Sequence, residues 1–297
     1  MEGLERLRRK AKNAADLHAV VGIMKSISSS NIHHYEQAVQ SLQEYSRTIE
    51  MGLQIMVMHR PVEPLAAREP ERLRLGAVIF GSDQGLCGSF NDQIASFAMA
   101  RLKEIDPEEL AVLAVGGRVV SRLLEAGLAI ESQFSFSGSH PGITRIMLEV
   151  LIGIEEWRAE RGFDRVLLFY NRPASGAVFA PHMDQLFPLD VKWLEELAGR
   201  KWPSRTLPTF SMDFDRLFAA LVRNYLFFSL YRAFVDSLAS ENASRLSSMQ
   251  AAERNIEDYQ HRLNVQYHRQ RQEAITSELL DVVTGYEALA KREEGRN

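Results

Sequence analysis

From Leu4 to Met56 the chain has no proline, and its apolar residues recur on a seven-residue frame. Positions 4, 7, 11, 14, 18, 21, 25, 28, 32, 35, 39, 42, 46, 49, 53 and 56 hold an apolar residue in 12 of 16 cases. A strict seven-residue apolar repeat favours one helix winding left-handedly around another. At ~1.5 Å per residue, a helix of this span is about 80 Å long, too long to fold back into an ordinary globular core. It needs a partner. The last third offers one: from Phe214 to Leu289 there is no proline, and only Gly285 interrupts the pattern.

The stretch between the two helices changes period. Leu75–Phe80, Leu110–Val115 and Arg165–Tyr170 are short apolar runs that read as buried strands. Helical patterns follow or separate them over Gln93–Glu104, Val119–Glu125 and Ile143–Arg161. Strands alternating with helices imply βαβ units and a mainly parallel sheet. Gly176–Ala180 suits an antiparallel edge strand. The predicted architecture is an α/β protein: a long antiparallel coiled coil of N- and C-terminal helices with an inserted, small Rossmann-like α/β domain. Its boundaries fall at 1–60 for the first helix, 72–205 for the α/β domain and 211–290 for the last helix. Pro61 and Pro64 end the first helix near Met58, and Glu63–Glu71 reads as a polar linker. Ser211 or Asp213 is placed to cap the last helix. That helix is apolar almost all round at Tyr225–Phe228, which predicts burial on two sides. Met249, Ala252, Ile256, Tyr259 and Leu263 then keep a 3/4 spacing, resumed by Leu279, Val282, Tyr286 and Leu289. The last helix outruns the first, so its end stands alone or sits inside a partner.

Composition excludes several classes. Of 297 residues, 45% are hydrophobic and 25% charged, so a buried core is feasible. A net charge of −4 gives no global basic field for nucleic acid. The single cysteine, Cys87, rules out an intrachain disulfide framework and fits a reducing compartment. No run approaches the ~20 apolar residues of a membrane span. The start, MEGLERLRRK, lacks the apolar core of a secretory signal.

Individual residues mostly have plain readings. The glycines at 81, 85 and 88 follow a strand, where amides can cradle phosphate. The loop is neither GxGxxG nor a P-loop, and a tight strand–helix turn fits it better. Cys87 has no neighbouring basic group to make it a nucleophile, and a small buried apolar role suits it. His33 and His34 are adjacent, about 100° apart on a helix, and do not form the i, i+4 pair that a metal prefers. His18, Lys25, Ser28 and Ser46 are polar positions on the frame that can fix register. Leu17, Met24 and Ile27 lie one place earlier, so the stripe can drift there. Glu241 and Arg245 stand four apart in the favourable order, as a surface pair or a partner contact. No convergent acid, base, cofactor or metal site emerges.

Gly81-Ser82-Asp83-Gln84-Gly85-Leu86-Cys87-Gly88-Ser89-Phe90-Asn91 resembles the Asp-x-Gly-Leu-Cys-Gly-x-x-Asn signature of the gamma subunits of F-type ATP synthases. Ala239–Arg245, with Met249, Ala252 and Asn255, is similar to that family's C-terminal helix, as is Arg271–Leu279. Ile23-Met24 and Ser28-Ser29-Ser30 fall where the family has a Met and an Ala-Ala-Ser run. The resemblance covers the whole length and matches the helix–domain–helix order.

The resemblance implies a non-catalytic central rotor stalk. Such a rotor couples ion translocation through a membrane ring to ATP synthesis or hydrolysis. Its implied partners are an alpha/beta catalytic hexamer, an epsilon subunit and a c-ring. The implied location is peripheral, on the cytoplasmic face of the bacterial inner membrane. Arg271, Gln272, Thr276 and Met24 match positions of hexamer contact, and Glu241 and Arg245 match stalk-helix contacts. Three departures suggest a divergent branch, an alternative ATPase beside a standard one. Asn31 stands where the family carries a basic residue. Phe210-Ser211-Met212 replaces Tyr-Glu-Pro, and Lys291–Asn297 extends the tail. The rivals are a freestanding coiled-coil scaffold, which predicts no particular polar belt, and a nucleotide-binding α/β enzyme with helical arms.

Overall fold

Helix α1 (Glu2–His59) is unbroken and buries the seven-residue frame. Leu7, Ala14, Val21, Ser28, Tyr35, Ile49 and Met56, at seven-residue intervals, are buried, and Leu42 is half-buried. The other half of the frame is half-buried from Leu4 to Ser46 and fully buried at Leu53. The drift allowed for at Leu17, Met24 and Ile27 does not occur. Leu17 and Ile27 are 53% and 55% exposed, and Met24 only borders the seam. A 3.5-residue period holds one stripe against a partner helix, and a residue one place off it turns about 100° away.

The computed structural model describes residues 2–60, 72–136, 140–174 and 177–294. Pro61, Pro64, the linker expected at 63–71, Gly176 and the final three tail residues lie outside these. So do the side chains of Tyr286 and Leu289. The remaining elements are β1 (Arg74–Phe80), α2 (Phe90–Ile105), β2 (Glu109–Val115), α3 (Gly117–Glu125), β3 (Ser132–Phe134), α4 (His140–Arg161), β4 (Arg165–Ala174), β5 (Ala177–Phe187), α5 (Val191–Gly199) and α6 (Phe214–Glu294). Two compact units result, Met1–Ile27 with Ser248–Asn297, and Ser28–Ser247.

In the first unit, α1 and α6 run antiparallel. Lys25 Nζ lies 2.5 Å from Glu253 Oε2, and His18 Nε2 lies 3.5 Å from Glu257 Oε1. Between them Leu7, Ala14 and Val21 pack with Met249, Ile256 and Leu263. The α6 stripe keeps the same period, with half-buried Gln260 where Tyr259 was expected. Tyr259 itself is exposed. Ile275, Leu279, Leu280, Val282 and Val283 are exposed.

In the second unit a five-stranded sheet has the order β3-β2-β1-β4-β5. All neighbours are parallel except the β4–β5 pair. Alternate residues of β1 serve opposite faces. Val78 and Phe80 pack under α4 and α6, while Leu75, Ala77 and Ile79 pack under α2 and α3. Burial on both faces explains why these strands read as continuous apolar runs. The antiparallel edge strand is present, running to Phe187. Its Pro181, His182 and Asp184 break the apolar pattern that would have marked its length, and an edge strand tolerates proline. The pattern also missed β3, three residues long, and α5, nine residues long. Asp213 is the cap of α6: its Oδ1 accepts from Arg216 N at 3.1 Å. Within this unit α1 and α6 again run antiparallel, with Asn31 donating to Asn242 at 3.2 Å and Tyr45 to Asn224 at 3.0 Å. Leu226 and Phe228 are buried and Tyr225 and Phe227 half-buried: Tyr225, Leu226 and Phe227 pack among the sheet, α1, α4 and α5, and Phe228 lies beside Val39 and Leu42 of α1.

Candidate functional site

The glycine loop leaves β1 at Phe80, and Gly81 N donates to Val115 O at 2.8 Å, tying the loop to β2. A Cβ on Gly81 would lie 2.3 Å from Val119 Cβ, so only glycine lets α3 approach this closely. Asn91, at the start of α2, closes the turn: its Oδ1 accepts from Ser82 N at 2.9 Å and its Nδ2 donates to Ser82 Oγ at 2.8 Å. Leu86 and Gly88 adopt φ of 62° and 59° to turn the chain between strand and helix. Cys87 is buried inside the turn, its thiol 3.5 Å from Ser82 Oγ, and burial pushes its pKa up. A desolvated neutral thiol is a packing group, as expected from the sequence.

In open α/β sheets ligands bind outside the carboxyl ends of the strands, where strand order reverses, with anions at helix N-termini. Here the reversal falls between β1 and β4, and one strand away, after β2, the chain fills a helix N-terminus with its own carboxylate. Asp83 Oδ1 accepts from Gly117 N, the first amide of α3, at 2.8 Å, and Oδ2 accepts from Phe136 N at 2.6 Å. The carbonyl of Ser82 takes the next amide, Arg118 N, at 2.9 Å. Asn171 of β4 is fully buried and donates to Phe90 O at 3.1 Å. A carboxylate already on the α3 dipole repels a phosphate from that helix end.

Helix α6 covers the same loop. Ser244 Oγ donates to Cys87 O at 2.6 Å. Arg245 donates from Nε to Gly85 O at 3.3 Å and from Nη2 to Gln84 O at 3.4 Å. The same Nη2 lies 2.5 Å from Glu241 Oε1. Both side chains are under a tenth exposed, which overturns the surface-pair reading. The pair is buried and joins α6 to the loop. Burial raises the Glu241 carboxyl above the usual range, the Arg245 charge and hydrogen bond draw it back, and Asp83 opposes them. Tyr35 of α1 is pushed up to about 12 by burial and by the Glu241 charge. The residues missed by sequence reasoning are Asp83, Ser244 and Tyr35. Each carried a signal without a role: Asp83 and Ser244 fall inside the two family-like motifs, and Tyr35 falls on the seven-residue frame.

The second set of expected residues lies in the first unit. Arg271, Gln272 and Thr276 are exposed on consecutive turns of α6. Thr276 Oγ1 donates to Gln272 O at 2.9 Å, so its hydroxyl is held by its own helix. Arg269 pairs with Glu273 at 2.9 Å on the same segment. Met24 packs half-buried beside the Val21–Met249 seam. The structure therefore does not gather the six expected residues into one site. Among the described residues no group of three His, Cys, Asp or Glu is placed to hold a metal, and no helix is long and apolar enough to cross a membrane.

A family model described as ATP synthase matches residues 3–289. The ATP synthase gamma chain of Nautilia profundicola is 23% identical over 98% of this chain and 100% of its own length. That of Nitrosospira multiformis is 26% identical over 97% and 100%, and that of Mycobacterium tuberculosis 27% identical over 97% and 98%. Among solved structures, a chain of the Euglena gracilis mitochondrial ATP synthase rotor has a TM-score of 0.61 at 15% identity, covering 92% of this chain and 99% of that one. A chain of the Tetrahymena thermophila mitochondrial ATP synthase central stalk and c-ring has a TM-score of 0.57 at 20% identity, covering 78% and 99%.

Proposed function

The chain belongs to the ATP synthase gamma-chain family, and from that premise we infer that it works as the central-stalk rotor subunit of a rotary ATP synthase or ATPase. It is a non-catalytic subunit. The observation that carries this reading is likeness to gamma chains over essentially the full length of both partners. The filled α3 N-terminus and the glycine loop covered by α6 support it from the other side, because they favour a mechanical α/β domain over a nucleotide site.

One stalk facing three chemically equivalent catalytic sites presents a different face to each. A face that contacts open and closed states with unequal free energy shifts their populations, and one that contacts both equally shifts nothing. Turning the stalk then moves each preference to the next site. The Arg271, Gln272 and Thr276 belt, with Met24, contacts the alpha/beta hexamer. Exposed hydrogen-bonding groups suit that role because they break and re-form at each step. The epsilon subunit and the c-ring complete the rotor, which couples ion translocation through the ring to ATP synthesis or hydrolysis. The protein is a peripheral component of a membrane-bound complex, at the cytoplasmic face of a bacterial inner membrane. Glu241 and Arg245 act inside the protein, holding α6 to the glycine loop so that torque passes between helix and sheet.

Purification of the tagged chain from membranes tests the assignment. Catalytic and ring subunits should accompany it, and their absence would remove the rotor reading. Arg271→Ala with Gln272→Ala should lower coupled ATPase activity of the assembled complex while leaving the unfolding midpoint unchanged. Full coupled activity in that variant would remove the belt's assigned role.

A further inference from the structure

Helix α4, the turn after β5, α5 and the first turns of α6 enclose an apolar cavity of about 400 Å³. Ile154, Leu189, Leu194, Phe218, Val222 and Leu226 wall it. Sites for small organic molecules occupy roughly 300–1,000 Å³ and combine such walls with a few placed polar groups. The polar groups here stand at the rim. Glu155 and Arg223 neutralise each other through a two-pronged pair at 2.7 and 3.1 Å. Arg158 is left over: among the described residues it has no carboxylate within 4 Å and no hydrogen-bond acceptor. Its guanidinium carbon lies over Phe187, 3.6 Å from the ring centroid, a cation–π contact that leaves its N–H groups unused. Partial burial lowers its pKa and the nearby Glu155 charge raises it, while the residue as a whole stays exposed to solvent and open to a ligand.

We propose that the cavity binds a single-chain alkyl carboxylate, its tail among the apolar walls and its head on the Arg158 fork. A carboxylate matches a planar guanidinium with two parallel hydrogen bonds, and the tail gains by leaving water. The rim selects a free amphiphile over a membrane surface. Membrane docking draws on clusters of basic residues, whereas this rim carries two arginines and a glutamate. The site is separate from the hexamer belt and from the glycine loop, and it does not depend on the rotor assignment.

Titration calorimetry of the full-length chain with sodium decanoate, below its aggregation concentration, tests the proposal. Saturable binding of one decanoate per chain is expected, with decylammonium at least tenfold weaker. Arg158→Gln should weaken decanoate at least tenfold, and Ala219→Phe, at the rim, should abolish binding. Absence of saturable binding, equal affinity for decylammonium, or unchanged decanoate affinity in either folded variant would overturn it. So would co-sedimentation with phosphatidylglycerol vesicles in place of decanoate binding. The comparison of the two ligand charges uses the unmodified chain and decides even where a variant does not fold.

Discussion

Asp83 places one carboxylate oxygen 2.8 Å from the amide of Gly117, at the point where the helix dipole of α3 is most positive. The same side chain reaches Phe136 N with its other oxygen. A loop residue thus pins together the ends of β1, β2 and β3, and it does so with the interaction that a nucleotide-binding sheet keeps for its ligand. The α3 N-terminus is therefore an anion position that the chain fills itself.

Asp83→Ala removes a charged acceptor from two amides. Hydrogen bonds to a charged group contribute about 1.5–3 kcal/mol each when buried, and less when half-exposed as here. The variant should lose about 2–3 kcal/mol in urea unfolding, and Asp83→Asn, which keeps one acceptor, about half of that. An unchanged midpoint for Asp83→Ala would show that water satisfies those amides equally well.

Arg245→Ala leaves the Glu241 carboxylate buried and unpaired, a change that typically costs about 3–5 kcal/mol. It also introduces a pH dependence of known sign. The Glu241 carboxyl is raised in the folded protein, and Arg245 supplies the influences that lower it. Without Arg245, burial and Asp83 act alone and the folded value climbs further. A raised folded pKa means the native state holds its proton to higher pH than the unfolded chain. The associated stability is complete below the unfolded glutamate pKa, about 4.3, and is lost as pH rises through the folded value. Urea midpoints of Arg245→Ala should therefore fall from pH 5 to pH 8 more than those of the parent. A parallel pair of profiles would show that Glu241 finds another counter-charge.

Much of this fold was legible because its signals are periodic and long. The Leu7–Met56 stripe states a seven-residue period that burial obeys, and the Leu75, Leu110 and Arg165 runs are continuous because both faces are buried. β3, with three residues, carries too few repeats, and in the eleven-residue β5 the polar and proline positions Pro181, His182 and Asp184 interrupt the apolar pattern. The site was less legible for a different reason. Asp83, Ser244 and Arg245 act on main-chain amides and carbonyls, which have the same chemistry in every residue, so the sequence does not reveal which ones will be in reach. The spacing of Glu241 and Arg245 was visible, but not that the sheet would bury them.

The coiled-coil seam makes a prediction that separates frame from neighbour. Leu263→Ala empties a buried site packed against α1 and should cost about 2–4 kcal/mol in the stability of the paired helices. Leu17→Ala removes the same atoms from an exposed face and should change it by less than about 0.5 kcal/mol. Amide hydrogen exchange across α1 reports both. Equal losses of protection would mean that the stripe slips by one residue in solution.

Two glycines should respond to alanine with opposite signs. Gly116 has φ +110°, and a Cβ there would lie 2.8 Å from Gly81 C and 2.9 Å from Gly81 O and Ser82 C. All three are main-chain atoms of the loop that Asp83 and Asn91 hold, so no side chain can swing aside. Conformational strain alone costs about 1–3 kcal/mol, and the contact adds to it, so Gly116→Ala should lose about 3 kcal/mol or more. Gly22 lies inside α1, with nothing within 4 Å of a Cβ placed there. Alanine at that position reduces the freedom of the unfolded chain without a clash, and a mid-helix glycine costs about 0.5–1 kcal/mol relative to alanine. Gly22→Ala should accordingly raise the unfolding midpoint of the isolated chain. A midpoint that falls instead would mean that this turn of α1 departs from regular helix in solution.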